Sequence, residues 1–297
     1  MFISIILLIL LGIDWASGYV IASYTINHGV NPYGYAFWQS FGPMLILIII
    51  QTFRKDLWLD RYGVKYTLLC GLFGIVIPNL MIYFAAAHIP SGLLTVLANI
   101  APIITYPLAI MFRDERFDIR RMLWILVGVV GVILIIVPSS GDIKDSFGNA
   151  WGYLAIIIPI SYAFSAVYIS RFRPKTGNEL NFSMWMLMVA TMCTSPMALI
   201  AHGYYPLSIG DTNTYLIIGE ILLSGFGYVL LFTLIKRVGA VYYTLVNAVS
   251  VLAGVIYGYV IFGQKYSLLT YISISLILLA IMGLTYTQWK NTRKIKC

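Results

Sequence analysis

Two acids stand apart because nothing around them is charged. Asp14 lies in an apolar run over 2–23 and Glu220 in another over 213–235, whereas the other nine acidic residues fall between such runs. A charge at the centre of a bilayer costs about 2.5–3.5 kcal/mol on insertion scales. Such a residue faces a cavity or a partner and is a functional candidate by default. Asp14 is about one residue from the middle of its run. Glu220 is about four residues off centre, roughly 6 Å at 1.5 Å per residue. No Lys or Arg lies inside a run except Arg121 at one edge. A carboxyl that gains and loses a proton at such a place is what a proton-coupled carrier needs, so both are proton-coupling candidates. A neutral carboxyl hydrogen-bonded to a neighbouring helix is the structural alternative.

Polar side chains at helical spacing form a second set. The fourth run carries Thr95, Asn99, Pro102 and Tyr106, and the ninth carries Tyr243, Asn247, Ser250, Gly254 and Tyr257. Intervals of three and four place each set on one helical face. In lipid an amide facing the tails has no partner, so these faces turn inward, either to a substrate cavity or as glue between helices. Asn79 and Tyr83 in the third run and Tyr162 in the sixth extend the set. Trp15 and Tyr19 add aromatic walls suited to apolar or aromatic amino acids, amphiphiles or organic cations. Pro78, Pro102 and Pro159 each free a backbone carbonyl near mid-run. Gly254 and Gly258, and also Gly128 and Gly131, suit close helix packing.

The elements that must position these residues are membrane helices. Of 297 residues, 60% are hydrophobic and 10% charged, against about 45–50% and about 25% in soluble domains. That excludes a soluble enzyme, a disordered chain and a disulfide scaffold. Ten apolar runs, at 2–23, 33–53, 66–87, 91–112, 121–138, 149–170, 181–201, 213–235, 240–263 and 268–289, predict ten transmembrane helices. No basic residue precedes Arg54. The first run therefore lacks the basic start of a signal peptide and is expected to be retained as a helix.

The net charge of +8 suggests nucleic acid only until its positions are read. With a cytoplasmic N-terminus, 17 of the 19 Lys and Arg residues fall in cytoplasmic segments, and only Lys144 and Lys265 lie opposite. The bias sets the orientation, both termini inside, and favours an even number of spans. His28, His88 and His202 have no metal-ligand spacing. Cys70, Cys193 and Cys297 imply no disulfide framework. A phosphate-binding Gly-x-x-x-x-Gly-Lys-Ser/Thr loop is absent. No enzyme chemistry, cofactor, metal or nucleic-acid partner is expected.

An offset of 149 residues lays His88–Gly92 on Arg237–Val241, Tyr83 on Phe232 and Asp114–Phe117 on Gly263–Tyr266. Identities are few, but the order of runs and short loops repeats. Five runs is an odd number, so the second half begins on the opposite side and the halves are inverted repeats. Secondary transporters use this plan, with substrate near the midplane. A non-transporting membrane sensor or assembly partner is the rival class.

Further motifs carry a resemblance. Trp15-Ala16-Ser17-Gly18, the glycines from Gly71 leading to Tyr83-Phe84-Ala85-Ala86, and Pro102 followed by Asp114-Glu115-Arg116 resemble the pattern of the drug/metabolite transporter superfamily, EamA-like family, over nearly the whole chain. Gln39, Val251 and Gln264 depart from it, standing where Arg, Pro and Glu are frequent. The resemblance implies two EamA-like five-helix repeats, at 1–140 and 148–290, with a cytoplasmic basic tail at 291–297. It also implies a cavity built by helices 1, 3, 4, 6, 8 and 9, and export of small metabolites across the inner (plasma) membrane.

Overall fold

The computed structural model describes residues 2–55, 57–113, 117–136, 150–243 and 245–296, and every regular element among them is helical. In order these are α1 (Phe2–Asn27), α2 (Pro32–Arg54), α3 (Arg61–Gly71), a π-helical turn (Leu72–Val76), α4 (Ile77–Ala85), α5 (Ser91–Ala98), α6 (Ala101–Met111), α7 (Ile119–Ile136), α8 (Ala150–Ala155), α9 (Ile157–Phe172), α10 (Glu179–Ile200), α11 (Thr212–Tyr243), α12 (Leu245–Phe262) and α13 (Leu268–Lys296). A helical segment thus lies on each apolar run. Six stretches among the described residues are long and apolar enough to cross a membrane: Ile3–Asn27, Pro32–Arg54, Arg61–Ala85, Ser91–Met111, Glu179–Ile200 and Thr212–Leu231. The expected repeat boundary at 140–148, with Lys144, and the Asp114-Glu115-Arg116 motif lie outside the described residues.

Side chains cap the helix starts. Asn31 accepts from Tyr33 N at 2.9 Å ahead of Pro32, and Asp60 accepts from Gly63 N at 2.8 Å. Asn178 accepts from Asn181 N at 2.9 Å. Each satisfies one of the donors that a helix N-terminus leaves open. Ahead of α11, Asp211 Oδ2 accepts from Tyr205 OH at 2.6 Å, Thr214 N at 2.9 Å and Thr214 Oγ1 at 2.8 Å. The Tyr205 bond, first, and those from Thr214 hold this carboxyl below its usual range.

Two ends differ from the apolar pattern. α11 runs through Lys236, Arg237 and Gly239 to Tyr243, where the runs suggest a loop. Hydropathy registers polarity there, but no proline stops the helix, and one glycine costs only about 1 kcal/mol. α13 likewise extends to Lys296 through the segment read as a basic tail. Lys and Arg are good helix formers, and their charge suits a helix C-terminus.

The three mid-run prolines each follow an interruption. Pro78 follows the π turn, Pro102 the break at Asn99–Ile100, and Pro159 the break at Ile156. Proline has no N–H to give to the carbonyl four residues back, so the helix is interrupted or re-phased just ahead of it.

The most extensive contacts between segments join the part before residue 137 to the part after 149. Take α3–α4, α5–α6 and α8–α9 each as one segment. The first then packs on the eighth and ninth, the second on the seventh and eighth, and the third on the sixth and seventh. The fourth packs on the sixth and ninth, and the fifth on the tenth. Exchanging first for sixth, second for seventh and so on leaves that pairing unchanged.

Glycines permit the closest crossings. A Cβ on Gly254 would lie 2.4 Å from Thr95 Cγ2, and one on Gly131 2.9 Å from Ile277 Cγ1. Overpacking of this kind costs about 1–3 kcal/mol. Gly254→Leu is therefore expected to lower the apparent melting temperature of the detergent-purified protein by several degrees. Gly219→Ala, whose Cβ meets nothing within 4 Å, should leave it unchanged or slightly raised.

Candidate functional site

Asp14 and Glu220 face each other's helices. A Cβ placed on Gly227 of α11 would lie 2.2 Å from Asp14 Oδ2, and one placed on Gly18 of α1 would lie 3.3 Å from both Glu220 carboxyl oxygens. Each acid thus rests against a glycine of the opposite helix. The register, 14 with 227 and 18 with 220, makes α1 and α11 antiparallel. Both acids are 6% exposed. Asp14 Oδ1 and Glu220 Oε2 are buried without a hydrogen-bond partner, as is the Tyr35 hydroxyl.

The other Glu220 oxygen ends a hydrogen-bond chain across four helices. Tyr162 OH (α9) donates to Asn79 Oδ1 (α4) at 2.9 Å, and Asn79 Nδ2 donates to Gln39 Oε1 (α2) at 3.3 Å. Gln39 Nε2 then donates to Ser224 Oγ (α11) at 2.8 Å, and Ser224 Oγ to Glu220 Oε1 at 3.1 Å. All four bonds run the same way, toward the carboxyl. Tyr19 lies within electrostatic reach of Tyr162, and Tyr228 lies beside Gln39 and Asn79. Aligned donors polarise one another, and such a chain in a low-dielectric interior is strong when complete and costly when broken.

Aromatic rings surround this polar centre. Trp15 meets Tyr228 edge-on at 5.5 Å, and Tyr35 meets Tyr83 edge-on at 4.8 Å. Trp15, Tyr19 and Tyr162 are only partly buried where they pack on the core. Of the sequence candidates, Asp14, Glu220, Trp15, Tyr19, Asn79, Tyr83 and Tyr162 therefore come together here.

The remaining candidates are not members of this hydrogen-bond chain. Thr95, Asn99 and Ser250 form the α5–α12 contact. Asn99 Nδ2 donates to Ser250 Oγ at 3.2 Å and to the Thr95 carbonyl at 2.8 Å, and all three are buried. That is the geometry of helix-to-helix glue. Tyr106 is taken to the α6–α7 turn, where its hydroxyl accepts from Asp118 N at 2.6 Å and Arg121 lies 5.1 Å over its ring. The stripe spacing assumed one continuous helix, and the break after Ala98 ends that phase. Pro102 opens α6, Asn247 is half-buried, and the Tyr257 hydroxyl lies 3.5 Å from Ser17 Oγ. The Tyr243 side chain lies outside the described residues. Gln264, in the loop before α13, accepts from Tyr266 OH at 2.7 Å and donates to Ser91 Oγ at 3.2 Å, tying that loop to the start of α5.

Sequence reasoning passed over Ser224, Tyr228, Tyr35 and Gly227, and took Gln39 only as a departure. A signal was present. Ser224 and Tyr228 lie four and eight residues after Glu220, and Tyr35 lies four before Gln39, the spacing that marks one helical face.

Gln39 joins the two halves of this hydrogen-bond chain, so Gln39→Leu leaves Asn79 Nδ2 without its acceptor and Ser224 Oγ without its donor. An unsatisfied buried polar group costs about 1–3 kcal/mol. Thermal unfolding in detergent should show a clear loss of stability for this variant, and a smaller one for Tyr162→Phe, which removes only the terminal donor.

Comparison with known proteins gives the following similarities. The model of the EamA-like transporter family matches twice, over residues 2–137 and 149–286. The chain is 26% identical over 193 residues to the "Pseudopaline exporter CntI" of Pseudomonas aeruginosa, covering 64% of this chain and 63% of that protein's length. It is 24% identical over 233 residues to a "Probable terminal-alkyne amino-acid exporter" of Streptantibioticus cattleyicolor, covering 75% of this chain and 73% of that one. A solved crystal structure matches with a TM-score of 0.59 at 13% identity, over 94% of this chain and 98% of that chain, a likeness of fold.

Proposed function

The chain belongs to the EamA-like transporter family, a family of transporters and not of enzymes, and from that premise we propose that it is a secondary active carrier that exports small amino-acid-like or drug-like metabolites. The relatives named as exporters support the direction and the class of cargo. The carrier sits in the inner (plasma) membrane with both termini in the cytoplasm, an orientation supported by 17 of 19 basic residues at alternate segment ends.

It crosses the membrane ten times, as two inverted five-helix repeats over 1–140 and 148–290. The double family match and a helix pairing that survives exchange of the halves support this reading. Transport proceeds by alternating access, one half rocking against the other around a midplane site. Cavity residues are Trp15, Tyr19, Asn79, Tyr83 and Tyr162, on helices contributed by both halves.

Export is driven by proton antiport through Asp14 and Glu220. The observation that carries this is a pair of buried carboxyls, each with an oxygen that no protein donor satisfies, at the contact between one helix of each half. An acid kept only for packing would have its hydrogen bonds filled. Permanent neutralisation is disfavoured for Glu220, toward which four successive donors point.

The test is efflux from proteoliposomes with an imposed pH gradient, using a panel of small metabolites. The wild type should show saturable flux that accelerates with the gradient. Asp14→Asn and Glu220→Gln should each lose the gradient response and at least about tenfold in rate, a barrier change of about 1.4 kcal/mol. Flux of equal rate and pH dependence in both variants would remove the coupling. Absence of saturable flux for every solute would favour a sensor or assembly partner.

A further inference from the structure

The charge balance at the α1–α11 contact says more about the cargo than the aromatic content does. Two carboxyls are buried there. Glu220 is within electrostatic reach of Asp14, and neither forms a salt bridge among the described residues. α1 holds no Lys or Arg, and in α11 the first basic residue is Lys236, sixteen positions beyond Glu220. The register places the two carboxyls one to two helical turns apart along the axis, roughly 6–10 Å. A positive charge midway between them would be offset roughly 3–5 Å along the axis from each. One free oxygen on each acid and the free Tyr35 hydroxyl give three acceptors that nothing in the protein uses.

The surrounding rings favour one kind of positive charge. Tyr35, Tyr83 and Tyr228 lie within electrostatic reach of Glu220, and Trp15 packs on Tyr228. Aromatic faces attract an organic ammonium. A metal ion such as calcium or magnesium instead requires about six or more oxygen ligands, which this aromatic lining does not offer. We propose that Asp14 and Glu220 bind the protonated amine of the cargo, so that this carrier's substrates are organic ammonium compounds with an apolar or aromatic body. The proposal rests on the transporter reading for its physiological meaning, but it is a statement about binding and can fail or hold separately.

Protons compete for the same oxygens, so lowering the pH weakens amine binding. The titratable side chains grouped around the acids are Tyr35, Tyr83 and Tyr228, within electrostatic reach of Glu220, and Tyr19 and Tyr162, which lie within reach of Tyr228. These are phenols, which exchange no proton in the range where carboxyls do.

The experiment is calorimetric titration of the full-length protein in detergent micelles with three probes of matched shape: phenethylamine (cationic), phenethyl alcohol (neutral) and 3-phenylpropanoate (anionic). The amine should bind at least about tenfold more tightly than either other probe, and progressively more weakly as the pH is lowered. Glu220→Gln and Asp14→Asn should each weaken amine binding about tenfold, more than they change alcohol binding. Thermal unfolding of each variant in detergent shows separately that it is folded. Equal affinity for amine and alcohol, an amine affinity indifferent to pH, or no amine binding would overturn the proposal. Amine binding without flux in proteoliposomes would overturn the transport reading and leave this one standing. Flux of neutral or anionic solutes without amine binding would do the reverse.

Discussion

A polar group inside a membrane protein must find its partners within the protein, because the lipid offers none. Around Asp14 and Glu220 that requirement is met only in part, and the local structure follows from how. Glycines at 18 and 227 let two helices close on the carboxyls. Ser224 then donates to one oxygen of Glu220, at the end of a chain that runs from Tyr162 through Asn79 and Gln39. Free oxygens remain on both acids. A fully paired cluster would lock the halves together, whereas an incompletely paired one leaves binding capacity for something that comes and goes.

The same chain couples the acids to the scaffold. It begins on α9 and ends on α11 in the second half of the molecule, passing through α4 and α2 of the first. A change of charge at Glu220 would alter the preferred donor direction along all four bonds. This gives the proposed carrier a physical link between occupancy of its site and the fit of its halves. The α5–α12 contact, with Thr95 against Gly254 and Asn99 bonded to Ser250, is by comparison held by close packing and a neutral hydrogen bond.

Much of this was legible in the sequence, for physical reasons. Apolar runs register the cost of polar groups in lipid, so a helix was found on each run. Run ends misplaced the boundaries where polarity and backbone propensity disagree, as at Lys236–Gly239 and beyond residue 289. The two acids were legible because a charge in an apolar run is conspicuous. Gln39 and Ser224 were not, because uncharged polar residues are common in membrane helices, and only long-range contact separates a network member from packing. Tyr106 shared a face with Asn99 on paper, but the break at Asn99–Ile100 could not be read from periodicity, which presumes an unbroken helix.

The central claim is that one pair of carboxyls serves proton and cargo in turn. The most direct measurement is proton release when an amine such as phenethylamine is added to the purified protein in weakly buffered detergent, followed with a pH indicator at a series of starting pH values. Release that saturates with the amine, grows as the starting pH is lowered into the range where the carboxyls hold protons, and disappears in the Asp14→Asn, Glu220→Gln double variant is expected. Amine binding with no proton release at any pH, or release that persists in the double variant, would contradict it.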